Sequence, residues 1–130
     1  MKKIFKILSI ILLVLFILSV LWVSVKFIYP SYYSAKGTQY LNNGEIEKAE
    51  ESFKKSAELG SSVGMYKLAE LYEFMGNIGL AMEYYEQAAE KGEKRAYCGL
   101  ERIYRQEDNI DKARTAEQMN RFLNKGCETE

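Results

Sequence analysis

Three kinds of residue recur in this chain at one interval. Gly44, Gly76 and Asp108 are each 32 residues apart, as are Ala49, Ala81 and Ala113, and as are Tyr40, Tyr72 and Tyr104. Two stretches, KAEESFKKSAELG (Lys48–Gly60) and LAMEYYEQAAEKG (Leu80–Gly92), place Ala, Glu, Ala, Glu and Gly identically. A period of this length marks stacked supersecondary units. One such unit cannot bury its apolar face alone, so neighbouring copies must share a continuous core.

Each unit reads as two helices. In the middle copy, Met65, Leu68, Ala69 and Tyr72 fall at helical spacing. Ser61 or Ser62 can cap the start of that helix, and Gly76-Asn77 can end it. Ile78, Ala81, Tyr85 and Ala88 then share one face of a second helix, which closes at Gly92. The small residues Ala69, Ala81 and Ala88 let two antiparallel helices approach closely, while Leu68, Tyr72 and Tyr85 fill the space around them.

The N-terminal segment is different in kind. Ile7 to Val25 is a run of nineteen uncharged residues, interrupted by a few serines. As a helix it would span roughly 28 Å, close to the hydrocarbon thickness of a bilayer. A helical serine can satisfy its hydroxyl on its own backbone, and Trp22 stands near one end, where an indole ring suits a lipid interface. The run exceeds a signal-peptide core, and Val23-Ser24-Val25 makes a poor cleavage site. It is read as an uncleaved anchor, with Lys26 and Tyr29 at its exit. Lys2, Lys3 and Lys6 outnumber the lysines just beyond the run. That bias places the N-terminus in the cytoplasm and the rest of the chain outside. The Lys/Ile-rich start fits a bacterial inner-membrane protein.

All 18 acidic residues lie beyond residue 30, whereas four of the 18 basic ones (Lys2, Lys3, Lys6, Lys26) precede it, which leaves the later part at −4. That balance disfavours nucleic acid, which needs a basic stripe. The chain has no His, and it offers no Ser/His or Cys/His pair, no Gly-rich phosphate loop and no metal-ligand cluster. It is therefore read as a non-enzyme with no cofactor and no small-molecule substrate.

The middle-copy residues Leu68-Ala69, Tyr72, Ala81, Tyr85 and Ala88 resemble the tetratricopeptide repeat. AELGSSVG (Ala57–Gly64) and AEKGEKRA (Ala89–Ala96) look like its Sel1-like variant. The resemblance covers about residues 31–125. It implies an all-α fold: a transmembrane helix within residues 1–30, then a short α-solenoid of about three antiparallel helix pairs over residues 31–130. The outer copies depart from the pattern. Lys36 stands in place of Leu68, and Glu101, Glu117 and Asn120 stand in place of Ala69, Tyr85 and Ala88. Polar residues suit the unstacked side of a terminal repeat, so the third copy reads as a cap. In the first, Tyr32, Tyr33 and Tyr40 are free to lean towards the anchor.

The resemblance also implies that the first helix of each pair lines a concave face where protein segments dock. That face would carry Ser34, Thr38 and Leu41, then Tyr66, Glu70, Glu73 and Phe74, then Arg95, Cys98, Arg102 and Arg105. Tyr66 and Phe74 could anchor an apolar side chain, with Arg102 and Arg105 holding a carboxylate. The competing expectation pairs Glu70 with Arg102 and Glu73 with Arg105, each 32 residues apart, as exposed ion pairs worth little. The candidate partner-binding residues are Tyr66, Glu70, Phe74, Arg95, Arg102 and Arg105. Tyr72, Tyr85, Tyr97 and Tyr104 are expected in the core, each needing a hydroxyl partner. Cys98 and Cys127 are expected as two thiols that do not meet, although a bridge tying down the C-terminus is the alternative. The function these features imply is a membrane-anchored adaptor or scaffold that binds a protein partner. An inhibitor or immunity-type protein and a small structural membrane subunit are the alternatives.

Overall fold

The computed structural model describes residues 1–124. The described residues are helical, joined by short turns: α1 (Lys2–Val23), a π-helical segment (Ser24–Ile28), α2 (Tyr29–Asn42), α3 (Ile46–Glu58), α4 (Ser62–Phe74), α5 (Ile78–Glu90), α6 (Ala96–Gln106) and α7 (Ile110–Asn124). After α1 the helices form antiparallel pairs, α2 with α3, α4 with α5 and α6 with α7. The pairs stack through α3 on α4 and α5 on α6.

The backbone stays helical across the expected exit from the anchor. Lys2 to Asn42 is one helix of 41 residues, and it is the one described helix long and apolar enough to cross a membrane. No residue of α1 is buried. Ser19 Oγ of α1 donates to the Phe16 carbonyl at 2.7 Å, and Ser24 Oγ, just past its end, donates to the Val20 carbonyl at 2.9 Å. Proline normally breaks a helix because it lacks an N–H and its ring presses on the carbonyl four residues back. Here Pro30 follows a widened turn, in which the Tyr29 N–H reaches the Ser24 carbonyl, five residues back. That turn accommodates the proline without ending the helix.

The repeat period is written into the turns. Gly44 and Gly76 both have φ +77°, and Asp108 occupies the same left-handed conformation at 57°. One residue on, the N–H of Glu45, Asn77 or Asn109 reaches the carbonyl of Tyr40, Tyr72 or Tyr104, at 2.9, 2.8 and 2.9 Å. The recurring Tyr and Gly positions are thus the two ends of one helix-terminating motif. Aspartate tolerates this conformation better than most side chains, though less well than glycine. At the α3–α4 turn Ser61 caps α4, its hydroxyl accepting from the Gly64 N–H at 3.0 Å, and beside Gly76 the Asn77 side chain caps α5 by accepting from the Leu80 N–H at 3.4 Å.

The core forms where the small residues were expected. Ala49, Ala69, Ala81 and Ala88 are fully buried, around Phe53, Leu68 and Tyr85. The close approach is visible at two glycines. A β-carbon on Gly37 would lie 2.5 Å from the Phe53 ring, and one on Gly99 would lie 2.4 Å from the Tyr85 ring. The tyrosines also find hydroxyl partners, all carboxylates. Tyr72 donates to Glu50 at 2.8 Å, Tyr85 to Glu73 at 2.8 Å and Tyr104 to Glu86 at 2.7 Å. Tyr97 is half-buried against the core.

The terminal copies differ from expectation in particular places. Asn120 is not on a solvated outer side: it is 1% exposed, in the same interior position as Ala88. Glu101 and Glu117 are half-buried, and Arg105 lies between them, at 2.9 and 3.2 Å. An ionic contact thus joins α6 to α7 where the middle pair uses Ala69 and Tyr85. In the first copy the Lys36 ammonium sits 5.7 Å from both the Tyr32 and the Tyr40 ring centroids. Cys98 is disulfide-bonded, and no described cysteine is free, which overturns the expectation of a thiol there. Cys127 and the Gly126 beside it lie outside the described residues.

Candidate functional site: the face of α2, α4 and α6

Tyr66, Glu70 and Phe74 stand four residues apart along α4, so they form one line on that helix. Their surroundings differ. The Tyr66 hydroxyl donates to Glu70 at 2.6 Å, and Lys67 donates to the other oxygen of that carboxylate at 2.8 Å. The Tyr66 ring is half-buried, 5.8 Å from the Tyr85 ring. The Arg95 guanidinium covers it at 4.6 Å from its centroid, a cation–π geometry. Burial, followed by the Glu70 carboxylate, pushes the Tyr66 phenol well above its ordinary range.

At the far end of the line Phe74 is 79% exposed. It borders a cleft of about 480 Å³ lined also by Leu41, Gly44, Ile46, Lys67, Glu70 and Leu71. Leu41 comes from α2 and Ile46 from the start of α3. Ser34, expected on the same face, is instead buried. Its hydroxyl bonds the Ser56 hydroxyl at 2.7 Å, and Ser56 donates to the Pro30 carbonyl at 2.7 Å. Thr38 turns its hydroxyl to the Ser34 carbonyl at 3.0 Å.

The arginines are each matched to a carboxylate. Arg95 forms a two-pronged bond to Glu93, at 2.8 and 3.1 Å. Arg102 does the same to Glu73, with both bonds at 2.7 Å. Glu73 also accepts from Tyr85, so it joins α4, α5 and α6. Arg102 first, then the Tyr85 hydroxyl, hold the Glu73 carboxyl below the usual carboxylate range against its burial. Arg95 does the same for Glu93. These shifts reinforce the charged forms of the acids and the neutral form of the phenol.

Ion pairing is present, but not in the expected register. The pairs Glu70–Arg102 and Glu73–Arg105 do not form. Arg102 takes Glu73, while Arg105 takes Glu101 and Glu117. The Tyr66–Arg95 and Glu73–Arg102 contacts share a separation of 29 residues, about one helical turn short of the repeat. Successive first helices are therefore staggered on this face, as expected where solenoid units rotate relative to one another.

The structure thus brings Tyr66, Glu70 and Arg95 into one cluster, with Arg102 beside it on Glu73. Phe74 stands at the opposite end of the α4 line, and Arg105 belongs to the α6–α7 contact. Sequence reasoning missed Lys67, which touches Glu70 and the Phe74 cleft, and Glu93, which holds Arg95. Lys67 could have been found from its spacing to Glu70. The role of Glu93 depends on the turn before α6 and has no periodic signal.

Residues 30–59 and 64–90 match the family model of the tetratricopeptide repeat. No curated protein matches the chain. The matched stretches correspond to the pairs α2–α3 and α4–α5, so the chain carries tetratricopeptide repeats between residues 30 and 90.

Proposed function

We propose that this chain is a membrane-anchored protein-interaction module, held by α1 and binding a segment of another protein along the α4 line. Repeats of the matched family suggest a protein partner. The observation that carries the reading is Phe74: a large aromatic, almost fully exposed, at the mouth of an apolar cleft. An aromatic or aliphatic side chain of the partner would enter beside Phe74 and Leu41. Because Arg95 and Arg102 already hold carboxylates, the arginines contribute by exchanging partners rather than as free charges. The anchor confines the module to a surface and raises its effective concentration near membrane components. We place the N-terminal lysines in the cytoplasm and the repeats outside, as an adaptor in the envelope of a bacterial cell.

The test is a photo-crosslinking side chain at Phe74, at Tyr66 and, as a control, at the exposed Glu83 of α5, in the full-length protein in cells. The reading expects one dominant protein captured from Phe74 and Tyr66 but not from Glu83. A single tight partner that is itself a toxin or enzyme would favour the inhibitor alternative. Capture through α1 alone would overturn the groove and leave a structural membrane subunit.

A further inference from the structure

We infer that the cavity where the anchor meets the repeats holds the phosphate of an anionic phospholipid headgroup. This inference rests on the reading of α1 as a membrane anchor. The cavity, about 620 Å³, is lined by Lys26 and Ser31 at the start of the first pair, by Leu59, Ser62 and Val63 around the α3–α4 turn, and by Lys91 at the end of α5. That volume lies within the roughly 300–1,000 Å³ typical of small-ligand sites. Lys26 directly follows the apolar run, which puts the cavity at headgroup level when α1 spans a bilayer.

Its charge is unbalanced. Elsewhere on the repeats Lys48, Lys54, Lys55, Lys67, Arg95, Arg102 and Arg105 each lie against a carboxylate, while Lys36 and Lys112 rest on tyrosine rings. Lys26 and Lys91 have no such partner among the described residues, and no acidic side chain lines the cavity. Lys26 rests instead over the Trp22 ring, 4.8 Å from its centroid. Two ammonium groups, with the Ser62 hydroxyl beside them, suit a phosphate, while the Ser31 hydroxyl is donated to the Ile28 carbonyl at 2.9 Å.

A second groove favours a lipid over a free anion. It shares Leu59 with the cavity and runs along Val25, Tyr29 and Tyr33, with Lys55 and Glu58 also in its lining. An acyl chain leaving the headgroup has an apolar path there, down the exposed side of the anchor helix.

The experiment uses full-length protein in a neutral detergent, mixed with phosphatidylglycerol or phosphatidylcholine and examined by native mass spectrometry. Phosphatidylglycerol should be retained preferentially. Lys26→Gln and Lys91→Gln should each lower that retention about fivefold, the preference expected of one basic residue at an anionic surface. Lys112→Gln, at the opposite end of the repeats, should leave it unchanged. Equal retention of the two lipids, or full retention by both cavity variants, would overturn the proposal. So would displacement by inorganic phosphate, which would show a site for free anions. Alkaline washing of cell membranes separates the two readings: release of the protein sinks the anchor and the lipid site together. Protein that stays in the membrane but shows no lipid preference sinks the lipid site alone.

Discussion

The hydroxyl of Ser56 sits where three helices meet. It accepts from Ser34 on α2, donates to the Pro30 carbonyl and packs so closely on α4 that a β-carbon on Gly64 would lie 2.4 Å from it. Ser56→Ala leaves the buried Ser34 hydroxyl without its acceptor, at a cost of about 1–3 kcal/mol. A thermal melt of the detergent-solubilised full chain should show a fall of several degrees, at about 4–8 °C per kcal/mol for a domain of this size. Replacing Ser34 as well should recover part of the loss, since no unpaired hydroxyl then remains. A Ser56→Ala protein as stable as the parent would show that this chain of bonds carries little. Ser56 also marks a limit of sequence reasoning. The repeat period sets Ser56 level with Ala88, but a serine reads equally as solvent-facing, and the family resemblance puts Ser34 on the concave face. Only the packing of α2, α3 and α4 around the pair decides it.

Between helices, one device recurs. Tyr72–Glu50 joins α4 to α3, Tyr85–Glu73 joins α5 to α4 and Tyr104–Glu86 joins α6 to α5. Burial first, then the neighbouring carboxylate, raises each of these phenols, and Tyr104 is pushed up to about 12. An unfolded tyrosine titrates near 10. Because the folded value is raised, the associated stability is complete below about pH 10 and is lost as pH climbs through the folded values. On the acid side Glu50, Glu73 and Glu93 are lowered, so their contribution is present above about 4.5 and lost as pH falls through the folded values. Helicity followed with phenolate absorbance should be flat across neutral pH, and the buried phenols should ionise only as the helices melt. Normal tyrosine titration with intact helices would contradict this. The tyrosine positions were legible in the sequence because the repeat fixes which side of each helix is buried. Their partners were not, because a glutamate on an exposed face carries no sign of which neighbouring helix it will meet. The same holds for Arg102, whose partner Glu73 is displaced by a turn from the position that equal spacing suggested.

At the scale of the whole molecule, the decisive feature is the unbroken helix from Lys2 to Asn42. The apolar run and the repeats were each plain from composition and period. Their helical continuity was not, because Pro30 ordinarily signals a break, and the widened turn at Ser24–Ile28 that accommodates it leaves no mark in the residue pattern. Helical continuity sets the direction of α2 relative to α1. The α3–α4 and α5–α6 turns share a cavity with Lys26 and Pro30, beside the anchor, while the α2–α3 and α4–α5 turns, with Phe74, lie at the far end. With α1 as the proposed membrane anchor, α1 and α2 would act as one rod that presents the α4 line away from the bilayer. The most direct measurement places a fluorophore at Leu59 or at Asn43 in the full-length protein reconstituted in vesicles, with a quencher on the lipid headgroups. The fourteen residues of α2 should set Asn43 about 20 Å farther from the surface, so Leu59 should be quenched strongly and Asn43 hardly at all. Equal quenching at both positions would contradict the account, because it would mean that the helix gives way at Ser24–Ile28 and the repeats lie free of any fixed orientation.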